Sequence, residues 1–318
     1  MGRILVALGG NALARPGGDG SWGEARAQMR ALGPALSACV SDGHELFLTH
    51  GNGPQVGRLL RQEELAEREV PLLPIDVLGA ESEGQIGYLI QQELGPALQQ
   101  AGVGRPVLPV ICRIEVSPKD PAFRNPEKPV GRYYDETEAR LLKKRNGWTM
   151  AFDGARGGWR RLLASPKPVR WLEAEALRPL VREGLGRRCV LVLAGGGGVP
   201  VVSKGHGRYE GVDAVIDKDL TASLVGRELE VDTLAIVTDV PAVAVGFRKP
   251  WERWLGEVDE RELESALRNG EFGHGSMGPK VEAILEFVRG GGRRAVITDP
   301  PSLERALHGE TGTRISRG

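Results

Sequence analysis

Three lysines stand where an ammonium group could meet a phosphate. Lys218 lies inside GVDAVIDKDLTAS, flanked directly by Asp217 and Asp219 after an apolar stretch. Taken alone, such a run is an ordinary solvated helix start with aspartates as caps. The alternative is that Lys218 contacts a phosphate while Asp217 turns inward and orients positive groups. Lys280 follows Gly278 and Pro279 in GSMGPKVEAILEFV, on the first turn of an amphipathic helix. A cation there opposes the helix dipole, and an anion nearby would offset that cost. Lys128, in NPEKPVG, reads by itself as a surface-loop lysine. The chain holds nine lysines, the first being Lys119, while the rest of its 42 Lys+Arg are arginine. That scarcity makes each lysine worth weighing as a compact point charge for phosphoryl oxygens.

Four glycine-rich turns follow apolar runs: LGGNAL (Leu8–Leu13), THGNGPQVG (Thr49–Gly57), LAGGGGVPV (Leu193–Val201) and GHGSMGPKV (Gly273–Val281). In an open parallel sheet, ligands bind beyond the carboxyl ends of the strands. Glycine there lets backbone N–H groups close on a phosphate. One such turn carries little, because glycine also serves tight turns for steric reasons alone. Four together point to a site for several anionic groups. None is GxxxxGK[ST], and none is GxGxxG with a later ribose-binding acid, which disfavours a P-loop enzyme and a dinucleotide-dependent dehydrogenase. The five histidines show no metal-ligand spacing, and GxSxG, HExxH and cysteine-nucleophile motifs are absent. The opening turn resembles a phosphate loop yet carries no lysine, so its positive charge must come from elsewhere.

The elements that would position these groups are legible. RILVAL, HELFLTHG, RPVLPVICRIEV, RRCVLVLAGGGG, DTLAIVTDV and RRAVITD read as strands. Helical patterns separate them: AQMRALGPALSACVSDG, PQVGRLLRQEELAEREV and ESEGQIGYLIQQELGPALQQAG. Near-continuous apolar strands between helices predict an α/β fold, a three-layer sandwich with helices on both faces of a mainly parallel central sheet. From about Pro118 to Arg170 the composition shifts to Pro, Gly, Arg and Trp, with a helix DETEARLLKKRNG and a hairpin DGARGGWRR. This reads as an ordered inserted subdomain. GFRKPWERWLGEVD reads as a surface excursion with a strand.

At 318 residues the chain suits one large α/β domain or two lobes around one continuous sheet. Lys+Arg and Asp+Glu both total 42, so no basic excess suggests nucleic acid and no acidic tail suggests disorder. Cys39, Cys112 and Cys189 are odd in number and far apart, which argues against a disulfide framework or a zinc site and fits a reducing cytoplasm. No signal-peptide pattern and no run of about 18 apolar residues is present, so a soluble cytoplasmic protein is expected.

The ordered set of motifs resembles the carbamate kinases of the amino acid kinase superfamily. The matching pieces are VALGGNAL, THGNGPQVG, PIDVLGAESEGQIGYLIQQEL, NPEKPVG, SPKPVRWLEAEAL, AGGGGVPV, EGVDAVIDKDL, GSMGPKVEA and TGTRI, from the first strand to the last few residues. The resemblance implies a single amino acid kinase domain over 1–318. Its N-terminal lobe (1–200) would serve carbamate or carbamoyl phosphate, and its C-terminal lobe (201–318) the nucleotide. The insert at 118–170 would be a lid. Most superfamily members read K-x-G-G in the first loop, whereas Ala7 stands at that lysine here. In carbamate kinases the missing charge comes from the protruding subdomain, which implies Lys128.

By the same resemblance Lys218 and Lys280 are nucleotide-side lysines, and Asp217 positions them. Gly9, Gly10 and Asn11 would meet the transferred phosphoryl group, and Gly51, Asn52 and Gly53 the carbamate. Thr238, Asp239, Val240, Gly275, Met277 and Pro279 would hold the nucleotide. The implied reaction is reversible, ATP plus carbamate giving ADP and carbamoyl phosphate, without a general base. Mg²⁺ would be held mainly by the nucleotide phosphates rather than by a protein metal site. The helix ESEGQIGYLIQQELGPAL is an implied homodimer face. Lys204 in SKGHG, Trp171 in WLEAEAL and the GFRKPWERWLG stretch depart from the family pattern. Two other readings stand beside this one: another acyl-phosphate-forming kinase of the superfamily, and a non-catalytic nucleotide sensor.

Overall fold

The structure, a computed structural model, describes residues 2–13, 18, 20–154, 156–273 and 277–317. The chain begins with strand β1 (Arg3–Leu8), the one-turn helix α1 (Gly10–Leu13), helix α2 (Trp22–Ser41), strand β2 (Glu45–His50) and helix α3 (Gly53–Ala66). A long helix α4 (Ile75–Gln100) precedes two short strands, β3 (Val107–Val110) and β4 (Arg113–Val116). The insert follows, with β5 (Lys128–Tyr134), α5 (Glu136–Asn146), β6 (Thr149–Asp153) and β7 (Gly158–Leu163). Next come β8 (Pro168–Trp171), α6 (Ala174–Arg182), α7 (Leu185–Arg188), β9 (Val190–Leu193), β10 (Val199–Ser203) and β11 (Tyr209–Gly211). The last part begins with α8 (Lys218–Glu228), β12 (Thr233–Val237), β13 (Ala244–Val245), β14 (Arg253–Trp254) and α9 (Glu260–Arg268). It closes with α10 (Met277–Arg289), β15 (Arg294–Thr298), α11 (Leu303–Leu307) and β16 (Thr313–Ser316).

Seven strands form the central sheet in the order β16-β15-β12-β1-β2-β9-β3. Neighbours are parallel except β15 and β16. Alternation along each strand sends side chains to two separate cores. Leu5, Ala7, Phe47, Leu234, Ile236 and Ile297 face one core, with Leu224 of α8 and Ile284 of α10 packed against them. Ile4, Val6, Leu8, Leu48, Val237 and Val296 face the other, against Leu32 of α2, Ile90 of α4 and Leu303 of α11. Helices therefore cover both faces, as the apolar runs predict, and strands from both halves of the chain share the sheet.

One expectation changes in detail, and another takes definite form. RPVLPVICRIEV reads as one strand, but it breaks at Ile111–Cys112 into β3, the edge of the central sheet, and β4, which joins a second sheet ordered β11-β10-β4-β8. An edge position tolerates Pro109, which has no N–H to donate. The Cys112 N–H at the break donates instead to Glu83 Oε2 at 3.2 Å. The GFRKPWERWLGEVD excursion contributes a two-strand ribbon with its upstream neighbour, Ala244 opposite Trp254. Trp171 is buried at the end of β8, in one core with Cys112 and Ile114.

The insert forms a three-stranded antiparallel sheet, β5-β7-β6, and the expected hairpin closes Asp153 onto Gly158. Helix α5 starts with a capping box between Asp135 and Glu138 and stops at Gly147, whose φ of 67° suits glycine. Val130 and Leu163 pack with Val56 and Leu60 of α3, which seats the insert on the body. Arg161 adds a polar tie. It is buried, lies 4.2 Å from the Trp148 ring centroid and donates to Asp213 Oδ2 at 3.1 Å. Removing this guanidinium in Arg161→Ala should loosen the insert without unfolding the body. Limited proteolysis should then cut faster within 118–170 while fragments outside it stay intact; an unchanged rate would show that apolar packing alone holds the insert.

Candidate active site

Because β1, β2, β9 and β12 are parallel neighbours, their carboxyl ends open on one edge of the sheet, and a cleft lies there. Gly9, Gly10, Gly51, Asn52, Gly53 and Gly196 line it together with Lys128, Asp217, Lys218, Asp219, Thr238, Asp239 and Lys280. Glycine is needed by close approach at two of these positions. A Cβ on Gly9 would fall 2.7 Å from the Val237 carbonyl oxygen, and one on Gly51 would fall 2.8 Å from the Gly10 nitrogen. Asn11 belongs to α1 behind Gly10. Asn52 Nδ2 donates to Ser82 Oγ of α4 at 2.8 Å, which fixes its amide.

All three lysines reach this cleft. Lys218 opens α8, whose cap is Asp217; the Asp217 side chain accepts from the Asp219 N–H at 2.9 Å. Lys128 enters from the insert and pairs with Asp217 Oδ2 at 3.0 Å. The ion pairs differ from the expectation that Asp217 fixes both nucleotide-side lysines. Asp219 does so instead: it pairs with Lys218 and, through Oδ2, with Lys280 at 3.2 Å. The cause is helix phase. As the cap, Asp217 holds the helix end near the lid, while Asp219 in the first turn points inward, where it is 2% exposed.

A second pocket adjoins the first, sharing Thr238, Asp239 and Lys280 with it. Val240 and Met277 line it, as do Phe247, Trp254 and Phe272, which are not among the residues the sequence motifs point to. The signal for Phe247 and Trp254 is the aromatic content of the FRKPWERW excursion; Phe272, in GEFGHG, carries no such signal. Pro279 lies in the first turn of α10 but outside the lining of either pocket. Gly275 lies outside the described residues. Lys204 sits on the β10–β11 hairpin, pairs with Glu210 at 2.8 Å, and does not line the cleft.

A model of the amino acid kinase family matches residues 2–299. The chain belongs to the amino acid kinase family. Its sequence is 43% identical over 320 residues to the carbamate kinase of Thermococcus kodakarensis, covering 100% of both chains. It is 42% identical over 316 residues to the carbamate kinase of Pyrococcus horikoshii, covering 99% of each. A solved structure of carbamate kinase from Giardia lamblia bound to AMP-PNP superposes with a TM-score of 0.90 at 35% identity, covering 99% of this chain and 98% of that one. This member of the family is a phosphotransferase with the amino acid kinase fold.

Charge in this kinase cleft is held by buried pairing. Burial alone would raise the Asp219 carboxyl, but the ammonium groups of Lys218 and Lys280 outweigh it and keep the acid below its ordinary value. Burial would likewise lower Lys280, yet the carboxylates of Asp219 and Asp217 raise it. Burial draws Lys218 below the ordinary lysine value; Asp219 opposes the shift and Lys280 adds to it. Burial also brings His50 down to about 4, so its ring is neutral at pH 7 beneath the cleft.

Among the described residues, no cluster of three or more His, Cys, Asp or Glu could hold a metal. Asp219 is occupied by two lysines, which leaves Asp217 and Asp239 as the other carboxylates lining the cleft. That donor set fits Mg²⁺ carried on nucleotide phosphates, which needs only one or two protein carboxylates.

Asp219→Ala would strand two buried ammonium groups, and we expect it to lower the unfolding free energy by about 3–5 kcal/mol at pH 7. The native acid is depressed, so its contribution is present at neutral pH and lost as pH falls through that depressed value. Urea unfolding across pH should show the parent and variant curves converging towards acid; a constant gap would contradict the pairing.

Proposed function

We propose that this chain transfers a phosphoryl group reversibly between ATP and carbamate, giving ADP and carbamoyl phosphate. The observation that carries the reading is the meeting of Lys128, Lys218 and Lys280 in one glycine-walled cleft where the first strand offers no lysine. Ala7 occupies that strand position and is wholly buried in the core. The naming of relatives above 40% identity as carbamate kinases supports the same acceptor.

Carbamate is already an oxyanion at neutral pH, so no base is required to make the nucleophile. One carbamate oxygen attacks the γ-phosphorus in line; the bond to the bridging oxygen of ADP breaks, and ADP leaves with that electron pair. The task of the protein is to bring two anions together, align them and stabilise charge on the equatorial oxygens. Lys218 and Lys280 take the nucleotide side, and Lys128 exchanges its contact with Asp217 for the transferring group. Gly9, Gly10 and Asn11 meet the phosphoryl group, while Gly51, Asn52 and Gly53 seat the acceptor. The second pocket takes the nucleoside, with Thr238, Asp239, Val240 and Met277 on one side and Phe247 and Trp254 on the other. Pro279 belongs to the helix start beside it, and Gly275 is assigned to the nucleotide by the family resemblance alone. Mg²⁺ on the phosphates supplies further charge neutralisation when bound.

In this reading residues 1–200 form the acceptor lobe, 201–318 the nucleotide lobe, and 118–170 a lid that carries Lys128 to the reaction. We assign the exposed aromatic pair Trp22 and Tyr88, stacked at 6.1 Å on α2 and α4, to a homodimer face. A cytoplasmic setting is consistent with three buried free cysteines, and among the described residues no helix is long and apolar enough to cross a membrane.

A coupled assay of ATP formation from ADP and carbamoyl phosphate tests the proposal. The parent should be active there and inactive with acetylglutamate or aspartate in the ATP-consuming direction. Lys128→Ala and Lys280→Ala should each lower turnover by roughly 100-fold or more. Activity on an amino acid substrate but not on carbamoyl phosphate would overturn the acceptor, and near-parental turnover in a lysine variant would remove that residue from the site.

A further inference from the structure

The turn at Ala194–Gly198 forms one wall of the cleft but has almost no side chains of its own to hold its shape. Its backbone runs through left-handed values, with φ of 49° at Ala194, 67° at Gly196, 97° at Gly197 and 79° at Gly198. Neighbouring elements hold it by hydrogen bonds. Thr49 Oγ1 of β2 donates to the Ala194 carbonyl at 3.0 Å, and Thr221 Oγ1 of α8 donates to the Gly197 carbonyl at 3.0 Å. The third contact is an acid from α4. Glu83 Oε2 accepts from the Gly195 N–H and from the Cys112 N–H, both at 3.2 Å.

Glu83 is 4% exposed, and its other oxygen, Oε1, is buried without a hydrogen-bond partner among the described residues. The residue before it, Ser82, accepts from Asn52 on the opposite wall of the cleft. The two walls touch directly: a Cβ on Gly196 would lie 2.0 Å from Asn52 Nδ2. Two consecutive residues of one helix therefore grip both sides of the pocket that Gly51–Gly53 and Gly196 surround.

We propose that Glu83, with Ser82 beside it, is a positioning residue that sets the acceptor pocket at the size of a small carboxylate-like anion. This rests on the assignment of Gly51, Asn52 and Gly53 to the acceptor. Glu83 touches no reacting atom; it acts through the turn. An ionised carboxylate in this place would add a negative charge behind a pocket meant for anions. Burial opposes that, raising the acid well above its ordinary value despite the two N–H donors, and Glu173 adds to the shift. With Oε2 taken by both backbone donors, Oε1 is the oxygen left to carry a proton whenever the acid is neutral. Glutamine has the same layout, with a carbonyl oxygen for the donors and an amide in place of the hydroxyl. Aspartate is one methylene short and cannot reach both donors in the same pose.

The test compares Glu83→Gln, Glu83→Asp and Glu83→Ala in ATP formation, varying ADP and carbamoyl phosphate separately. Glu83→Ala should raise KM for carbamoyl phosphate by about tenfold or more and leave KM for ADP within about twofold. Glu83→Gln should bring KM for carbamoyl phosphate back to within about threefold of the parent, and Glu83→Asp should not. Equal rises in both KM values, or a parental KM in Glu83→Ala, would overturn the inference. If Glu83→Ala does not accumulate folded, the Gln and Asp pair decides: a rise for carbamoyl phosphate in Asp alone supports it, and parental values in both overturn it. A parent that makes no ATP from carbamoyl phosphate would defeat the proposed reaction instead, a different outcome from any of these.

Discussion

Like charges crowded into one cleft repel each other, and this repulsion is the constraint around which the site is organised. Three ammonium groups lining one partly dry cavity would be strongly unfavourable without counter-charge. The D-K-D run resolves this locally. Asp219, buried at the foot of α8, joins Lys218 to Lys280, while Asp217, one residue outside the helix, takes Lys128. The cations are thus held in place before any phosphate enters. The sheet makes this possible, because β1, β2, β9 and β12 end together and bring the starts of α8 and α10 to the same edge.

The source of the third cation distinguishes this site from a loop with its own lysine. With Ala7 in the first strand, β1 packs flush into the core and the loop after it is almost bare backbone. Lys128 instead stands at the start of the insert sheet, where its side chain is 35% exposed, far more than Lys218 or Lys280. A charge on a seated but separate sheet can change partners as that sheet shifts, which a lysine fixed in the central sheet cannot do. The ties through Arg161 and the Val130–Leu163 packing limit how far such a shift can go.

Much of the architecture was legible because it depends on local pattern. Apolar runs ending in glycine gave the strands of the central sheet, and the insert announced itself by composition. The rest depended on tertiary partners. The break after Val110 is invisible in RPVLPVICRIEV, because the partner that takes up the Cys112 N–H there, Glu83, comes from a distant helix. The exchange of tasks between Asp217 and Asp219 turns on a single residue of helix phase, finer than the usual uncertainty of a helix start. Phe247 and Trp254 read as surface aromatics, and only the folding back of the β13–β14 ribbon brings them to the second pocket. Ser82 and Glu83 sat unnoticed inside a long helical pattern, since nothing in a helix period shows which residues meet a glycine turn.

The most direct test is a crystal structure of this chain with ADP, Mg²⁺ and aluminium fluoride in place of the transferring phosphoryl group. The account predicts the Nζ atoms of Lys128, Lys218 and Lys280 within about 3 Å of the fluoride or β-phosphate oxygens, with Asp219 still joining the last two. A fluoroaluminate bound away from these lysines, or Lys128 remaining on Asp217 beside an occupied cleft, would contradict it.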